Sequence, residues 1–195
     1  MRHRALAIAT ICALGVISEA QTFNWENLDI GTPASVAQAA SGVTATATPH
    51  LGGDVIVVSD LSSTLPLFFS RSISADDTFN AGSSPLRIEF STIVSFLYVE
   101  FGDGDPDDDG LVSITAYNMF DSEVATNSFS FGTNTGIGSL TLNAPNISYI
   151  LTSSVSGLNT MFYDNISVTP VPEPVSLIAL GAGFAALLAR RRKRV

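Results

Sequence analysis

The densest group of reactive side chains in this 195-residue sequence is an acidic stretch, GDGDPDDDG, at residues 102–110. Five carboxylates fall within the seven residues 103–109, between two segments of alternating apolar residues. Carboxylates packed this closely repel one another, and a divalent cation relieves that repulsion. The stretch therefore predicts one of two features: a weak cation-binding hairpin or a solvated, negatively charged turn.

The spacing inside this stretch indicates which cation it would hold. Asp105, Asp107, Asp109 and Gly110 follow the pattern D-x-D-x-D-G, which opens calcium-binding loops. The twelfth position is Ala116, where an EF-hand has a bidentate glutamate, and the residues that follow predict a strand rather than a helix. The sequence therefore excludes an EF-hand and keeps a calcium-binding hairpin as the alternative to a bare acidic turn.

Residues 1–20 have the layout of a signal peptide. Arg2 and Arg4 form a positive start, residues 5–17 form an apolar run, and Ser18-Glu19-Ala20 places small residues where signal peptidase reads them. We predict cleavage before Gln21; the alternative is a buried N-terminal helix. Cleavage would also remove Cys12, the only cysteine, and leave His50 as the only histidine. Thiolate catalysis, cysteine-bound zinc and multi-histidine metal sites are then excluded.

Charge is sharply segregated along the chain. Residues 21–174 contain two arginines, Arg71 and Arg87, no lysine and seventeen acidic residues, a formal net charge of −15. Such a surface repels nucleic acid and anionic polysaccharide, so no nucleic-acid partner is expected. The composition suits a protein that works outside the cytoplasm among divalent cations, or simply one with a soluble acidic exterior.

The C-terminal residues 171–195 form a separate segment. The fifteen uncharged residues 175–189 would make a helix of about 22 Å, shorter than the roughly 30 Å of membrane hydrocarbon. A cluster of cations that favours the cytoplasmic side follows the helix: Arg190, Arg191, Arg192, Lys193 and Arg194. Pro172 and Pro174 stop the helix from extending backwards, so we expect Pro172-Glu173-Pro174 to be extended and accessible just outside the membrane.

Together, the Pro-Glu-Pro corner, the short apolar helix and the basic terminus resemble a PEP-CTERM sorting signal. The resemblance implies recognition by an exosortase, cleavage near the motif and delivery to the cell surface or extracellular polymer matrix of a Gram-negative bacterium. The alternative is a plain C-terminal anchor that keeps the protein in the inner membrane.

Residues 21–170 show apolar alternation with period two rather than the helical period. Strands are predicted at about nine or ten places, separated by Gly, Asn, Asp, Ser and Pro at intervals of eight to twelve residues. Only residues 34–40 offer a short helix as an alternative. The sequence therefore predicts an all-β, jelly-roll-like antiparallel β-sandwich, flanked by the signal peptide helix (1–20) and the transmembrane helix of the sorting segment (171–195).

A second acidic feature lies near the end of this β-rich region. Alternation in the segment 162–168 places Asp164 on the same face as Phe162, Ile166 and Val168, and a carboxylate among apolar side chains needs a partner. Arg71 and Arg87 are the only cationic candidates. The alternative is a bulge or strand end that turns Asp164 towards solvent. This closing strand also resembles the last strand of carbohydrate-binding-module-like jelly rolls. The resemblance implies a structural Ca²⁺ site that joins Asp164 to Glu26 and Asp29.

Two classes of function follow from these features. The leading hypothesis is an exported, non-enzymatic domain with a structural, adhesive or carbohydrate-binding role and extracellular polysaccharide as its partner. The aromatic residues available to contact a sugar are Trp25, Tyr98, Tyr117, Tyr149 and Tyr163. The alternatives are a secreted glycan-active enzyme that uses a carboxylate pair, for which Glu89 and Glu100 are candidates, and a permanently anchored periplasmic subunit.

Overall fold

The structure is a computed structural model that describes residues 18–59, 71–75, 85–103, 111–131, 137–154 and 161–172. The predicted signal peptide up to residue 17, the acidic residues Asp105, Asp107 and Asp109, and everything after Pro172 lie outside the described residues. Nearly all of the described part belongs to one compact unit, Glu19–Val171.

Ten β-strands make up the regular structure of the described residues, and every pairing between them is antiparallel. They are β1 (Gln21–Phe23), β2 (Val36–Ala40), β3 (Val43–Pro49), β4 (Val55–Ser59), β5 (Arg71–Ala75), β6 (Leu86–Asp103), β7 (Leu111–Tyr117), β8 (Glu123–Ser130), β9 (Ile137–Ser154) and β10 (Met161–Pro170). The predicted all-β antiparallel class is confirmed. The short helix considered for residues 34–40 is wrong, because β2 occupies that segment and pairs with β3.

Two long strands, β6 and β9, connect two layers of a sandwich. The first half of β6 pairs with β3 and the second half with β10, while β9 follows β6 along its length and extends beside β7. The first layer therefore has the order β2-β3-β6-β9-β7-β8, and the second layer has β4-β5-β10-β6-β9, while β1 pairs with residues 166–168 of β10, beyond its pairing with β5. The register shift between Glu89 and Val94 and the positive φ of Asn146 lie where both strands pass from one layer to the other.

The core lies between the layers and is filled by the inward residues of each strand. Ile88 and Ile150 come from the first layer, and Leu97 and Val99 from the second; all four are at most 1% exposed. At one end, three phenylalanines form an edge-to-face cluster in which Phe101 lies 5.5 Å from Phe129 and 5.8 Å from Phe131, centroid to centroid. Aromatic pairs in this geometry add stability beyond the area they bury.

Within the described ranges no helix is long and apolar enough to span a bilayer. The apolar helix predicted for residues 175–189 falls outside those ranges.

Candidate functional site

A β-bulge in β10 sets the position of Asp164. Asp164 is paired with Glu100 on β6, but the next paired residue, Ser167, faces Tyr98, so β10 contains one extra residue. Asn165 takes a positive φ of 44° at this point, a conformation that asparagine tolerates better than most residues. The bulge keeps Asp164 on the face of Phe162 but moves Ile166 and Val168 to the core face. The predicted common face for these residues is therefore wrong after position 164.

Despite lying off the core face, Asp164 is buried, with 3% of its surface exposed. Its Oδ1 accepts a hydrogen bond of 2.7 Å from the backbone N–H of Asn165. The Asn165 side chain continues this chain, because its Nδ2 donates to Glu100 Oε2 at 2.8 Å. The other oxygen, Glu100 Oε1, accepts from the Tyr98 hydroxyl at 2.7 Å. Asn165 is therefore hydrogen-bonded to both carboxylates, and it is also the residue with the positive φ at the bulge.

The environment of Asp164 favours its protonated form. Burial first, and the nearby negative charges of Glu26 and Glu100 as well, raise the pKa of Asp164 from 3.8 to about 7, against a lowering effect of the Asn165 amide. Neither Arg71 nor Arg87, the two cationic partners considered from the sequence, is among these influences. Arg87 instead lies on the first layer, paired with Glu89.

The carboxylates of this cluster only partly match the predicted calcium site. Glu26 and Glu100 are both close enough to Asp164 to influence its pKa, and Glu100 is an acid that the sequence did not indicate for this site. Asp29 is exposed. All the donors are oxygens, which Ca²⁺ prefers, but no three acidic, histidine or cysteine side chains of the described residues converge closely enough to hold a metal ion. Calcium binding here stays a prediction.

A second feature lies on the outer face of the first layer, the side turned away from the core. Tyr149 of β9 and Tyr117 of β7 are register partners, and their rings stack with centroids 5.0 Å apart and planes inclined by 8°. The Arg87 guanidinium covers the Tyr149 ring, 3.7 Å from its centroid, and its Nη2 lies 2.6 Å from Glu89 Oε1. This Arg–Tyr–Tyr stack fixes three side chains that are distant in sequence and covers both faces of the Tyr149 ring.

The turn between β7 and β8, residues 118–122, lies at the end of this stack. Asn118 organises it: the Asn118 side-chain Oδ1 accepts from the N–H groups of Phe120 at 2.9 Å and Ser122 at 3.1 Å. Asp121 adopts a positive φ of 57° and accepts a 3.0 Å hydrogen bond from the Tyr149 hydroxyl. Burial, and next this bond to Asp121, raise the pKa of Tyr149. The turn is thereby fixed to the stack beneath it.

The aromatic residues that the sequence offered for sugar contact differ in how deeply they are buried. Trp25, Tyr149 and Tyr163 are buried, while Tyr98 and Tyr117 are half-buried. The most exposed aromatic side chain among the described residues was not among the candidates: Phe120 is 77% exposed, next to Met119 at 67%. An Asn-x-x-Asp turn between two alternating segments would have pointed to these two residues.

The two glutamates considered for catalysis lie on different layers. Glu89 pairs with Arg87 on the outer face of the first layer. Glu100 lies on the second layer, and each of its two oxygens already accepts a hydrogen bond. The two glutamates also lie beside different parts of β9: Glu89 is paired with Tyr149, and Glu100 is paired with Ser139.

Solved structures with a similar chain path are distant in sequence. The cleaved K2 adhesin domain of Lys-gingipain is 16% identical, with a TM-score of 0.49 over 77% of this chain and 99% of that one. An arabinose-bound α-L-arabinofuranosidase, MgGH51, is 12% identical, with a TM-score of 0.44 over 78% of this chain but only 27% of that one. TmCBM61 in complex with β-1,4-galactotriose is 8% identical, with a TM-score of 0.38 over 67% and 90%.

No curated protein matches the sequence significantly. The PEP-CTERM protein-sorting motif matches residues 170–193 and confirms the resemblance noted in the tail. The match begins within β10, whose ladder runs to Pro170 opposite Val94 and is followed by a 2.8 Å hydrogen bond from Val171 N–H to the Ile93 carbonyl. The chain therefore carries a PEP-CTERM protein-sorting motif directly after its β-sandwich, and the motif implies an exported, cell-surface-directed protein that an exosortase processes.

Proposed function

We propose that this protein serves at the cell surface or in the extracellular matrix as a non-enzymatic module that binds polysaccharide. The observation that carries the proposal is the Arg87–Tyr149–Tyr117 stack on the outer face of the first layer. A pyranose ring has an apolar C–H face and hydroxyl groups at its edge. Both faces of the Tyr149 ring are covered by Arg87 and Tyr117, so the half-buried Tyr117 ring is the aromatic surface of the stack that a sugar can contact. An aromatic ring bordered by hydrogen-bonding groups complements both parts of the sugar.

Hydroxyl side chains border the stack along the same face. Ser113 and Ser153 lie 2.6 Å apart, Oγ to Oγ, and Thr115 and Thr126 lie 3.1 Å apart, Oγ1 to Oγ1. Each hydroxyl both donates and accepts, so the face can bond to sugar hydroxyls of either polarity. A broad, open face of this kind suits a polymer chain that lies across the strands.

The alternative of a glycan-active enzyme is less well supported by the contacts of its candidate carboxylates. Glycoside hydrolysis needs two carboxyl groups facing each other across about 5–9.5 Å. Glu89 and Glu100 lie on different layers, and both are engaged in contacts within the protein. We therefore infer binding without turnover.

The proposal is tested with the full chain and a set of soluble polysaccharides. Affinity electrophoresis in gels containing neutral or anionic polymers should retard the protein in at least one of them, and prolonged incubation should release no new reducing ends. Release of reducing sugar that is lost in Glu100→Gln would establish the enzyme instead. Intact-mass measurement of surface-extracted protein and of the inner-membrane fraction would separate a sorted protein from a permanently anchored subunit.

A further inference from the structure

The β7–β8 turn exposes apolar surface that the fold does not require. Met119 and Phe120 are 67% and 77% exposed, yet the turn itself is held by Asn118 and Asp121, whose side chains and backbone make its hydrogen bonds. Central turn positions usually carry small or polar residues. Because Met119 and Phe120 are adjacent, they form one exposed apolar patch that a ligand can cover.

Backbone hydrogen bonds make this turn rigid. Asn118 N–H donates to the Ser122 carbonyl at 3.0 Å, and Asp121 N–H donates to the Asn118 carbonyl at 3.1 Å. Together with the two bonds to the Asn118 side chain, they involve every residue of the turn except Met119. A ligand that contacts Met119 and Phe120 would thus lose little affinity to ordering of the protein.

Tyr149 joins the turn to the stack. Its hydroxyl holds Asp121, while its ring lies between Tyr117 and the Arg87 guanidinium. The exposed pair and the stack, through its half-buried Tyr117 ring, are therefore parts of one preorganised surface at the end of β7.

The negative charge of the domain disfavours several classes of partner for this surface. Residues 21–174 have a net charge of −15, the carboxylates of Asp121 and Glu123 border the turn, and the nearby Arg87 is already paired with Glu89. Anionic polysaccharide, anionic lipid and a second copy of this chain are all repelled. A five-residue turn is also small beside the roughly 1,200–2,000 Å² of total surface that a stable protein interface buries.

We propose that the β7–β8 turn and the Arg87–Tyr149–Tyr117 stack together form the contact site for an uncharged polysaccharide. The inference rests on the proposed function and names its site and its ligand class. Phe120 and Met119 pack on the apolar face of a sugar ring, and Asp121 and the neighbouring hydroxyls accept or donate hydrogen bonds at its edge. An uncharged polymer meets this acidic surface without a Coulombic cost.

The test compares Phe120→Ala with Leu51→Ala in the full chain. Leu51 is equally exposed, at 77%, but follows β3, three strand positions from β7 in the first layer. Binding is measured by affinity electrophoresis and calorimetry with neutral glucan, galactan and mannan, with alginate as the anionic polymer, and with vesicles of anionic phospholipid. We expect Phe120→Ala to weaken binding of a neutral polymer at least tenfold and Leu51→Ala to change it less than twofold. Tyr149→Phe should give an intermediate loss.

Each contrary result has a distinct meaning. Neutral-polymer binding that survives Phe120→Ala and Met119→Ala, with unchanged melting temperatures, overturns the site but leaves the proposed function standing. Preference for alginate or for vesicles overturns the ligand class. A dimer in solution that Phe120→Ala dissociates assigns the surface to a second copy. If no polysaccharide binds the wild-type chain, the proposed function itself fails.

Discussion

Asp164 and Glu100 face each other on neighbouring strands, and the single residue Asn165 contacts both: its amide N–H donates to Asp164 and its side chain donates to Glu100. Two acids therefore share one neutral donor residue in a largely buried place. Neither Arg71 nor Arg87 is among the charges that shift the pKa of Asp164, and Arg87 is paired with Glu89. Protonation of Asp164 or binding of a cation can relieve the electrostatic repulsion between the two carboxylates.

The first prediction concerns pH. The pKa of Asp164 is raised from 3.8 to about 7 by burial first and by its acidic neighbours, so the folded state holds a proton that the unfolded state has lost. The resulting stability is fully present below the unfolded pKa and is lost as the pH rises through about 7. We expect the free energy of unfolding to fall by about 2–3 kcal/mol between pH 5 and pH 8, since each pH unit below the folded pKa is worth about 1.4 kcal/mol. Urea titrations at each pH measure it.

Asp164→Asn provides the matched test of this pH dependence. The neutral amide should flatten the decline in stability and make the variant more stable than wild type at pH 8. Glu123→Gln, on an exposed carboxylate of β8, should leave the slope unchanged. A wild-type slope that Asp164→Asn does not alter would assign the pH dependence to another group.

The second prediction concerns calcium. If Ca²⁺ binds at Glu26 and Asp164, millimolar CaCl₂ should raise the melting temperature at pH 7.5 relative to EDTA, since a ligand that binds only the folded state stabilises it. Asp164→Asn should abolish the increase, whereas an increase lost in Asp107→Asn would place the ion in the stretch 102–110. Equal melting temperatures in CaCl₂ and EDTA would contradict both predicted sites.

The third prediction concerns the phenylalanine cluster. Gly138 lies against it so closely that an added Cβ would come within 2.7 Å of both Phe101 Cε2 and Phe129 Cε1. Gly138→Ala should therefore force the rings apart and lower stability by about 1–3 kcal/mol. Combining it with Phe129→Leu should recover part of the loss, because the smaller side chain makes room. Additive losses in the double variant would show that the two positions do not conflict.

The fourth prediction concerns the junction with the sorting motif. Val171 N–H is hydrogen-bonded to the Ile93 carbonyl, and Pro172 is exposed. A protease needs an extended, free backbone, so limited proteolysis of the folded chain should spare β10 and give a stable fragment that ends at or beyond Pro172. Mass spectrometry of the fragment measures its end. A fragment that ends inside 161–170 would show that β10 opens easily.

Sequence alone determined the general class of this protein. Alternation with period two can only bury its apolar residues in a sheet, and so the antiparallel sandwich was predictable. The sorting motif is read as a linear string of residue types, and so Pro-Glu-Pro, the apolar run and the basic end were sufficient to recognise it.

Tertiary structure decided which side chains come together. The bulge at Asn165 changed the face of every following residue in β10. The sequence offered a bulge only as an alternative that would turn Asp164 towards solvent, whereas the packed strands keep Asp164 buried. Tyr117 and Tyr149 became neighbours because strand order placed β7 beside β9, and Asp164 met Glu100 because β10 lies beside β6. Pairings between strands distant in sequence depend on the whole packed core, so only the folded chain could reveal them.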